Sequence, residues 1–258
     1  MVLVVHIKCI VPVSGGKDSQ ACVKLAVNEF GNESVEGLFC DTQFEHPITY
    51  KHIDDIGKLY GIKINKICAG SVREKILKYK RFPGGGARFC TDELKIKPTK
   101  LFLDDFSKAN GGFQVWYGMR ADESSEREKR YSNIIDTSYY APNEINRRYP
   151  KYLQKQGVMF RLPIVSWTEY QVFDYLKDEI NPLYKAGFGR VGCFPCLAAG
   201  DHHKEKAFAF DLIGRQHLAM CRELEPLTGH SIYTSKRGQL RHDSGQIDCF
   251  EGCGACSI

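Results

Sequence analysis

The stretch Val11–Leu25, VPVSGGKDSQACVKL, is the feature that most limits how this chain can fold. Before it lies a β-branched run (Val4, Val5, Ile7, Ile10, Val11, Val13), and after it Ala21, Cys22, Leu25 and Ala26 recur at helical spacing. The pattern predicts a strand, a tight glycine turn and a helix N-terminus. Amides left unpaired at the start of a helix, at the positive end of its dipole, favour an anion, and Gly15 and Gly16 let that anion approach the backbone. Lys17 adds a point charge, and Ser14 and Ser19 add hydroxyls. A phosphate is the expected ligand. The commonest phosphate loop, G-x-x-x-x-G-K-[ST], is excluded, because Val11 and Asp18 stand where it needs glycine and Ser or Thr.

The same alternation continues downstream. Residues 34–42, SVEGLFCDT, read as a second strand ending at Asp41 and Thr42; a helix starts at Pro47 and stops at Gly61; a third strand covers 62–67 and a fourth 111–120. Strands separated by helices imply a parallel sheet wound by right-handed crossovers, with ligands at the strands' carboxyl ends. Ser14, Asp41 and Arg120 fall at such ends and should converge. Residues 84–90, GGGARFC, read as a glycine hinge, and the long tyrosine-rich stretch 132–157 as either a lid or a disordered insertion. Residues 162–184 carry a capping box from Ser166 to Glu169, with Tyr170, Phe173 and Leu176 on one helical face as core. One long helical stretch is expected at about 204–224 in a cysteine- and histidine-rich extension. The expected fold class is α/β, a parallel sheet with helices on both faces plus a Cys-rich, mostly helical C-terminal extension. Two domains are drawn, 1–165 and 166–258.

With 43% hydrophobic and 26% charged residues, the 258-residue chain has an ordinary globular composition. A formal charge of +5 suits a phosphate-rich substrate and permits nucleic acid, without the strong basic stripe of a dedicated DNA-binding domain. No apolar run reaches the roughly 18 residues of a membrane span, and a signal peptide is not expected where His6 and Lys8 interrupt the N-terminal apolar run. Eleven cysteines, an odd number that includes the C-x-x-C pairs Cys193/Cys196 and Cys253/Cys256, fit an intracellular protein using thiolates for metal or sulfur chemistry. The expected compartment is cytoplasmic. The sequence leaves the oligomeric state open, a homodimer included.

Five stretches in order, SGGKDS (14–19), FCDTQFEHP (39–47), RFCTDELKIKP (88–98), GMRADESSER (118–127) and PIVSWTEYQVFDYL with NPLY and GCFPC (163–196), resemble the PP-loop ATP pyrophosphatase superfamily. The resemblance is to its PAPS reductase-like branch, which includes APS and PAPS reductases, the small subunit of sulfate adenylyltransferase and the ATP pyrophosphatases of DNA phosphorothioation. It implies an adenine nucleotide alpha hydrolase-like, Rossmann-like sheet, with Ser14, Gly15, Gly16, Lys17, Asp18 and Ser19 gripping the β- and γ-phosphates of ATP. It places Arg120, Asp122, Glu123, Ser124 and Arg127 near the nucleotide. Among these, the guanidinium fork of Arg120 best matches two phosphate oxygens, and Asp18 and Asp41 offer oxygens suited to Mg²⁺. Lys17, Asp18 and Arg120 are the expected catalytic residues.

The cysteines leave alternatives. Cys193 and Cys196 form a C-x-x-C knuckle around Pro195, and Cys90 aligns with a cluster-ligand position of APS reductases, the iron–sulfur members, which have two adjacent cysteines where this chain has Phe89 and Cys90. Three ligands of a [4Fe-4S] cluster thus carry over. A fourth comes from the tail (Cys249, Cys253, Cys256), or the fourth iron stays open to sulfide. Against this stand a zinc site of Cys193 and Cys196 with Cys253 and Cys256, whose pairs lie much farther apart than in compact zinc modules, and free thiols. Cys9, Cys22, Cys68 and Cys221 are expected as packed small hydrophobes, and His202 and His203 as solvated helix-start residues.

A sulfonucleotide reductase needs no β,γ-pyrophosphate grip and carries a Glu-Cys-Gly tail motif. Here Lys17 and Asp18 are intact and the tail reads Glu251-Gly252-Cys253-Gly254. The expected function is an ATP pyrophosphatase that adenylylates an acceptor oxygen, a DNA backbone phosphate ahead of tRNA, so that sulfur from a cysteine desulfurase displaces AMP. The alternatives are a PAPS or APS reductase, and a non-catalytic nucleotide-binding subunit with a structural zinc.

Overall fold

The structure, a computed structural model, describes residues 6–84 and 87–233. In chain order the elements are β1 (Cys9–Pro12), α1 (Lys17–Phe30), β2 (Val35–Asp41), α2 (Pro47–Tyr60), β3 (Lys63–Cys68), α3 (Val72–Tyr79), α4 (Phe89–Thr91), α5 (Lys97–Asn110), β4 (Gln114–Trp116) and α6 (Ser125–Tyr131). Then come α7 (Pro142–Ile145), α8 (Tyr152–Lys155), β5 (Met159–Arg161), α9 (Glu169–Leu176), α10 (Pro182–Lys185), α11 (Asp201–Phe210) and α12 (Leu212–Thr228). The five strands form one parallel sheet in the order β3-β2-β1-β4-β5, the Rossmann-like arrangement predicted. Among the described residues, no helix is long and apolar enough to cross a membrane.

Two compact units, interleaved in sequence, make up the chain. The first takes in residues up to Cys40, Pro47–Ile67 and Ile96–Val191; the second takes in Asp41–His46, Cys68–Lys95 and the described residues from Gly192 onward. The boundary drawn at 165/166 does not coincide with this division. Helix α9 stays with the sheet, because Val172 and Leu176 are fully buried in its core.

The sheet's two faces follow from period-2 alternation. Cys9, Val11 and Val13 of the first strand run, Val35 and Phe39 of β2, and Trp116 of β4 pack one way, against α1, α2 and α9. Ile10, Leu38, Val115 and Phe160 pack the other way, with Leu103 of α5 and with Ile145, Tyr149 and Leu153. Strands buried on both faces read as continuous apolar runs, as β1 does. The stretch 132–157 is therefore neither a free lid nor a disordered insertion. Its Ile145, Tyr149 and Leu153, four residues apart, enter the core, and Tyr140 bridges to Phe160.

The second unit has its own core, built from Val72, Ile76, Phe89, Leu94, Phe208, Leu218, Cys221 and Leu224. The helix expected at 204–224 is two helices. Between them Asp211 takes an extended backbone, its side chain accepting from Gly214 N at 2.9 Å to cap α12 and pairing with His46 at 2.7 Å.

Two further local expectations differ. The N-cap of α9 is Thr168, boxed with Gln171, while Ser166 Oγ donates to Asp136 at 2.5 Å. With the helix starting two residues later than the Ser166 box implied, Tyr170 faces outward at 77% exposure. Cys9, Cys22 and Cys221 are buried as predicted, but Cys68 is exposed and accepts from Gln43 Nε2.

Candidate functional site

Sheet order reverses between β1 and β4, each lying on opposite flanks of that point, and in open α/β sheets such a switch point is where ligands bind. The loop Val13–Gly16 leaves β1 here and Gly118–Arg120 leaves β4. Gly15 sits at φ +75°, and a β-carbon there would stand 2.5 Å from Thr49 Cγ2 of α2. A β-carbon on Gly16 would stand 3.0 Å from the Val191 carbonyl and 3.2 Å from the Tyr184 hydroxyl. The glycines are thus demanded by packing against the protein itself, where the sequence suggested room for an anion.

The loop is held in place before any ligand arrives. Asn181 Nδ2 donates to Gly15 O at 3.1 Å, and Lys17 N, the first amide of α1, donates to Tyr184 Oη at 3.0 Å. Both side chains come from NPLY. Ser19 Oγ donates to Gly16 O at 2.9 Å and accepts from Ser14 N at 3.1 Å, so Ser19 staples the turn and leaves Ser14 Oγ, 3.3 Å away, as its more open neighbour. Gly118 also serves this loop. A β-carbon there would meet the Asp18 carbonyl and Ser19 N at 2.6–2.7 Å, so only glycine lets the strand β4 exit lie against the start of α1.

On that frame sits a cluster of paired charges. Arg120, 3% exposed, donates from Nε to Asp18 Oδ1 at 2.5 Å and from Nη1 to Asp122 Oδ2 at 3.0 Å. Lys17, 4% exposed, has Asp18 Oδ2 at 3.4 Å and Glu169 Oε1 at 3.0 Å, and lies 5.2–5.3 Å from the ring centres of Tyr184 and Phe173. Both oxygens of Asp18 therefore face cations of the protein. Burying two cations is tolerable only with such partners, and one of them, Glu169, is 53% exposed.

The remaining predicted nucleotide residues divide by role. Asp122 accepts from Arg120 and from Glu169 N at 3.1 Å, tying the β4 exit to the first turn of α9. Ser124 caps α6, accepting from Arg127 N at 3.3 Å, and Glu123 pairs with Arg127. Partial burial lowers the Arg127 pKa, with Asp18 among the charges opposing the shift and Arg190 among those adding to it. Arg190 thus belongs to the same charge neighbourhood. Glu169, Asn181, Tyr184, Gly118 and Arg190 were not singled out as site residues from sequence; the signal available was that the WTEY and NPLY stretches recur with the loop.

Asp41, at the end of β2, falls in the second unit, where its Oδ1 accepts from Gln43 N at 2.8 Å. The second unit also holds Cys90, Cys193 and Cys196. Cys193 bridges to Glu45 through the backbone, donates to Glu45 Oε1 at 3.5 Å and lies 3.4 Å from Thr42 Oγ1. Burial pushes its thiol up to about 12 despite the opposing charge of Lys95. Burial likewise raises Cys90, with Cys196 adding to the shift. Three sulfurs therefore share one neighbourhood, a donor set suited to a thiophilic metal. Among the described residues, however, no three His, Cys, Asp or Glu side chains are arranged to hold a metal ion. Cys249, Cys253 and Cys256, the expected source of further ligands, lie outside the described residues.

Residues 8–199 match the phosphoadenosine phosphosulfate reductase domain. The chain belongs to this family. Among its relatives within the PAPS reductase-like proteins, an uncharacterised protein of Methanocaldococcus jannaschii is 31% identical over 191 residues, covering 73% of this chain and 36% of that protein. The adenosine 5'-phosphosulfate reductase of Pseudomonas aeruginosa is 28% identical over 186 residues, covering 67% of this chain and 62% of the reductase. A U34-tRNA thiolase from Methanococcus maripaludis, solved with its [4Fe-4S] cluster, superposes with a TM-score of 0.47 at 15% identity, covering 91% of this chain and 77% of the thiolase. The chain spans only 36% and 40% of the lengths of the two Methanocaldococcus jannaschii relatives it matches.

Proposed function

We propose that this PAPS reductase-family protein is an ATP pyrophosphatase that activates an acceptor for sulfur transfer. The observation that carries the reading is the buried pair Lys17 and Arg120, set at the sheet's switch point on a loop that the protein has already shaped. In this reading the triphosphate replaces Glu169 as partner of Lys17, and Lys17 takes the charge that builds on the departing pyrophosphate. Arg120 steadies the α-phosphate, and Arg127 is assigned to the same nucleotide. Mg²⁺ would accompany the nucleotide and neutralise phosphate charge.

An acceptor oxygen attacks the α-phosphorus and the α–β phosphoanhydride bond breaks, giving adenylylated acceptor and pyrophosphate. A sulfur nucleophile then displaces AMP. Cys90, Cys193 and Cys196 are assigned to holding that sulfur, with Cys249, Cys253 or Cys256 as the fourth ligand of a [4Fe-4S] cluster, or with Cys253 and Cys256 joining Cys193 and Cys196 in a zinc site; a cysteine desulfurase is the implied donor. The acceptor assigned is a DNA backbone phosphate, with tRNA behind it.

Incubation with α-labelled ATP, each acceptor and a sulfide source tests the reading, since labelled AMP and unlabelled pyrophosphate should appear in equal amounts and K17A should abolish both. Failure to release pyrophosphate with any acceptor rejects it. Similarity to APS and PAPS reductases supports a second reading, reduction of a sulfonucleotide, for which sulfite release from APS or PAPS is the discriminating product. Absorbance near ~400 nm in anaerobic protein separates a cluster from zinc.

A further inference from the structure

The segment 146–156 carries Arg147, Arg148, Lys151 and Lys155 and no acidic residue. Its apolar positions Tyr149 and Leu153, with Ile145 just before it, are spent in the sheet core, and all four basic residues are exposed, together with Tyr152 at 46% exposure. The ridge is fixed at both ends to α5. Lys100 Nζ donates to Arg148 O at 3.0 Å, and Gln156 bonds Asp104 at 2.8 Å and Ser107 at 2.9 Å. At the inner side the Tyr149 hydroxyl meets that of Tyr117 at 2.6 Å.

Nothing in the activation chemistry uses this ridge, and because its backbone is tied to α5 the spacing of its cations is set by the fold. We propose that the ridge 147–155 is a docking surface for the sugar-phosphate backbone of a nucleic acid. The chemistry favours that occupant over an acidic protein. Protein interfaces keep charge at the rim and apolar or aromatic groups at the centre, whereas here the cations occupy the centre and one exposed tyrosine lies among them. A backbone-tracking surface needs spaced cations for phosphates and an aromatic face for a base. The proposal rests on the reading above only for what the bound polymer is used for.

The test is fluorescence anisotropy of the full chain with labelled single-stranded DNA, the matching duplex and RNA of the same sequence, across a salt series; the three arms identify the polymer. Contact with four phosphates predicts a log–log salt slope of about −3 on a single strand. The triple variant R147E/K151E/K155E should weaken binding by at least about tenfold and flatten the slope by about 2. Its pyrophosphate affinity should equal that of the unaltered protein, and K151A/K155A provides a milder variant should the reversal disturb folding. The proposal is overturned if the unaltered protein binds none of the three, if the variants keep the same affinity and slope, or if polyglutamate competes as well as nucleic acid, which would assign the ridge to acidic proteins. Loss of pyrophosphate release with nucleic-acid binding intact would reject the activation chemistry and leave the ridge standing.

Discussion

Replacing Glu169 with glutamine should tighten the binding of pyrophosphate. Lys17 Nζ sits 3.0 Å from Glu169 Oε1, and any anion reaching Lys17 has to displace that carboxylate. Two unit charges at that separation attract by about 1.4 kcal/mol in bulk water and about 5.5 kcal/mol at an effective dielectric of 20. Lys17 is 4% exposed but Glu169 is 53% exposed, which puts the pair close to the aqueous limit, where measured pairs contribute about 0.2–1 kcal/mol. Glutamine keeps the size and the hydrogen-bonding oxygen and removes only the charge. The anion should therefore gain about 0.5–1.4 kcal/mol, roughly a two- to tenfold fall in Kd. Because Glu169 opens α9, losing its charge also removes about 0.3–1 kcal/mol of favourable interaction with the helix dipole, so the variant should melt a few degrees lower. The assay is calorimetric titration with Mg²⁺-free pyrophosphate at low ionic strength, alongside Mg²⁺-ATP. Unchanged or weaker pyrophosphate binding in E169Q refutes the idea that this carboxylate holds the anion's place. A gain for pyrophosphate with a loss for Mg²⁺-ATP would show that Glu169 also serves the cation.

Y184F leaves Lys17 N without its acceptor and should cost about 1–3 kcal/mol in urea denaturation, with weaker nucleotide binding. In G118A the new β-carbon meets backbone atoms of Asp18 and Ser19 that have nowhere to move; about 1–3 kcal/mol of stability and about tenfold in nucleotide affinity should be lost together. R120A leaves Asp18 with Lys17 alone and the half-exposed Asp122 with Glu169 N, at a cost of about 1.5–3 kcal/mol, and should abolish turnover, whereas R120K should restore part of the stability but little activity. Burial lowers the His52 pKa to about 4, with its ring bonded to Gln20 Oε1 at 2.9 Å. The unfolded chain therefore binds the extra proton first. Stability should be full above about pH 6.5 and fall as pH drops toward 4, by about 2 kcal/mol between neutrality and pH 5, and H52N should flatten that slope in urea titrations across pH.

What the sequence disclosed were the features whose cause is local or periodic. The alternation of Cys9, Ile10, Val11 and Val13 assigns each residue to a face of the sheet without knowledge of the partner, and Pro47 and Gly61 bracket α2 through their own backbone limits. Where the deciding partner is distant, the reading slipped. Ser166 has the chemistry of an N-cap but is drawn off by Asp136, 30 residues earlier, so Thr168 takes the role. The break at Asp211 is invisible in a helical pattern because His46, 165 residues away, shares in holding it. Cys68 has the composition of a core residue but ends an edge strand, and its exposure follows from the strand order. In the candidate site, Lys17, Asp18 and Arg120 were legible because a charge beside glycines at a strand end has few structural uses. Glu169 and Tyr184 were not, since their roles exist only once α9 and α10 have packed beside α1.

That difference bears on how the site can work. Had the loop been shaped by its ligand, its glycines would face open space and its amides would lack partners. Instead a β-carbon at Gly15 would strike α2, one at Gly16 would crowd Tyr184 and Val191, and Lys17 N is already bonded. Entropy for ordering the turn is therefore met during folding, through NPLY and the Ser14–Ser19 staple, and little remains to be lost on binding. In the proposed reading, binding exchanges one anion for another at Lys17, a carboxylate for a phosphate. The exchange favours the ligand with the greater charge density on the same cation, so discrimination between a triphosphate and a singly charged competitor arises from electrostatics on a rigid frame. It needs no closing movement of the loop.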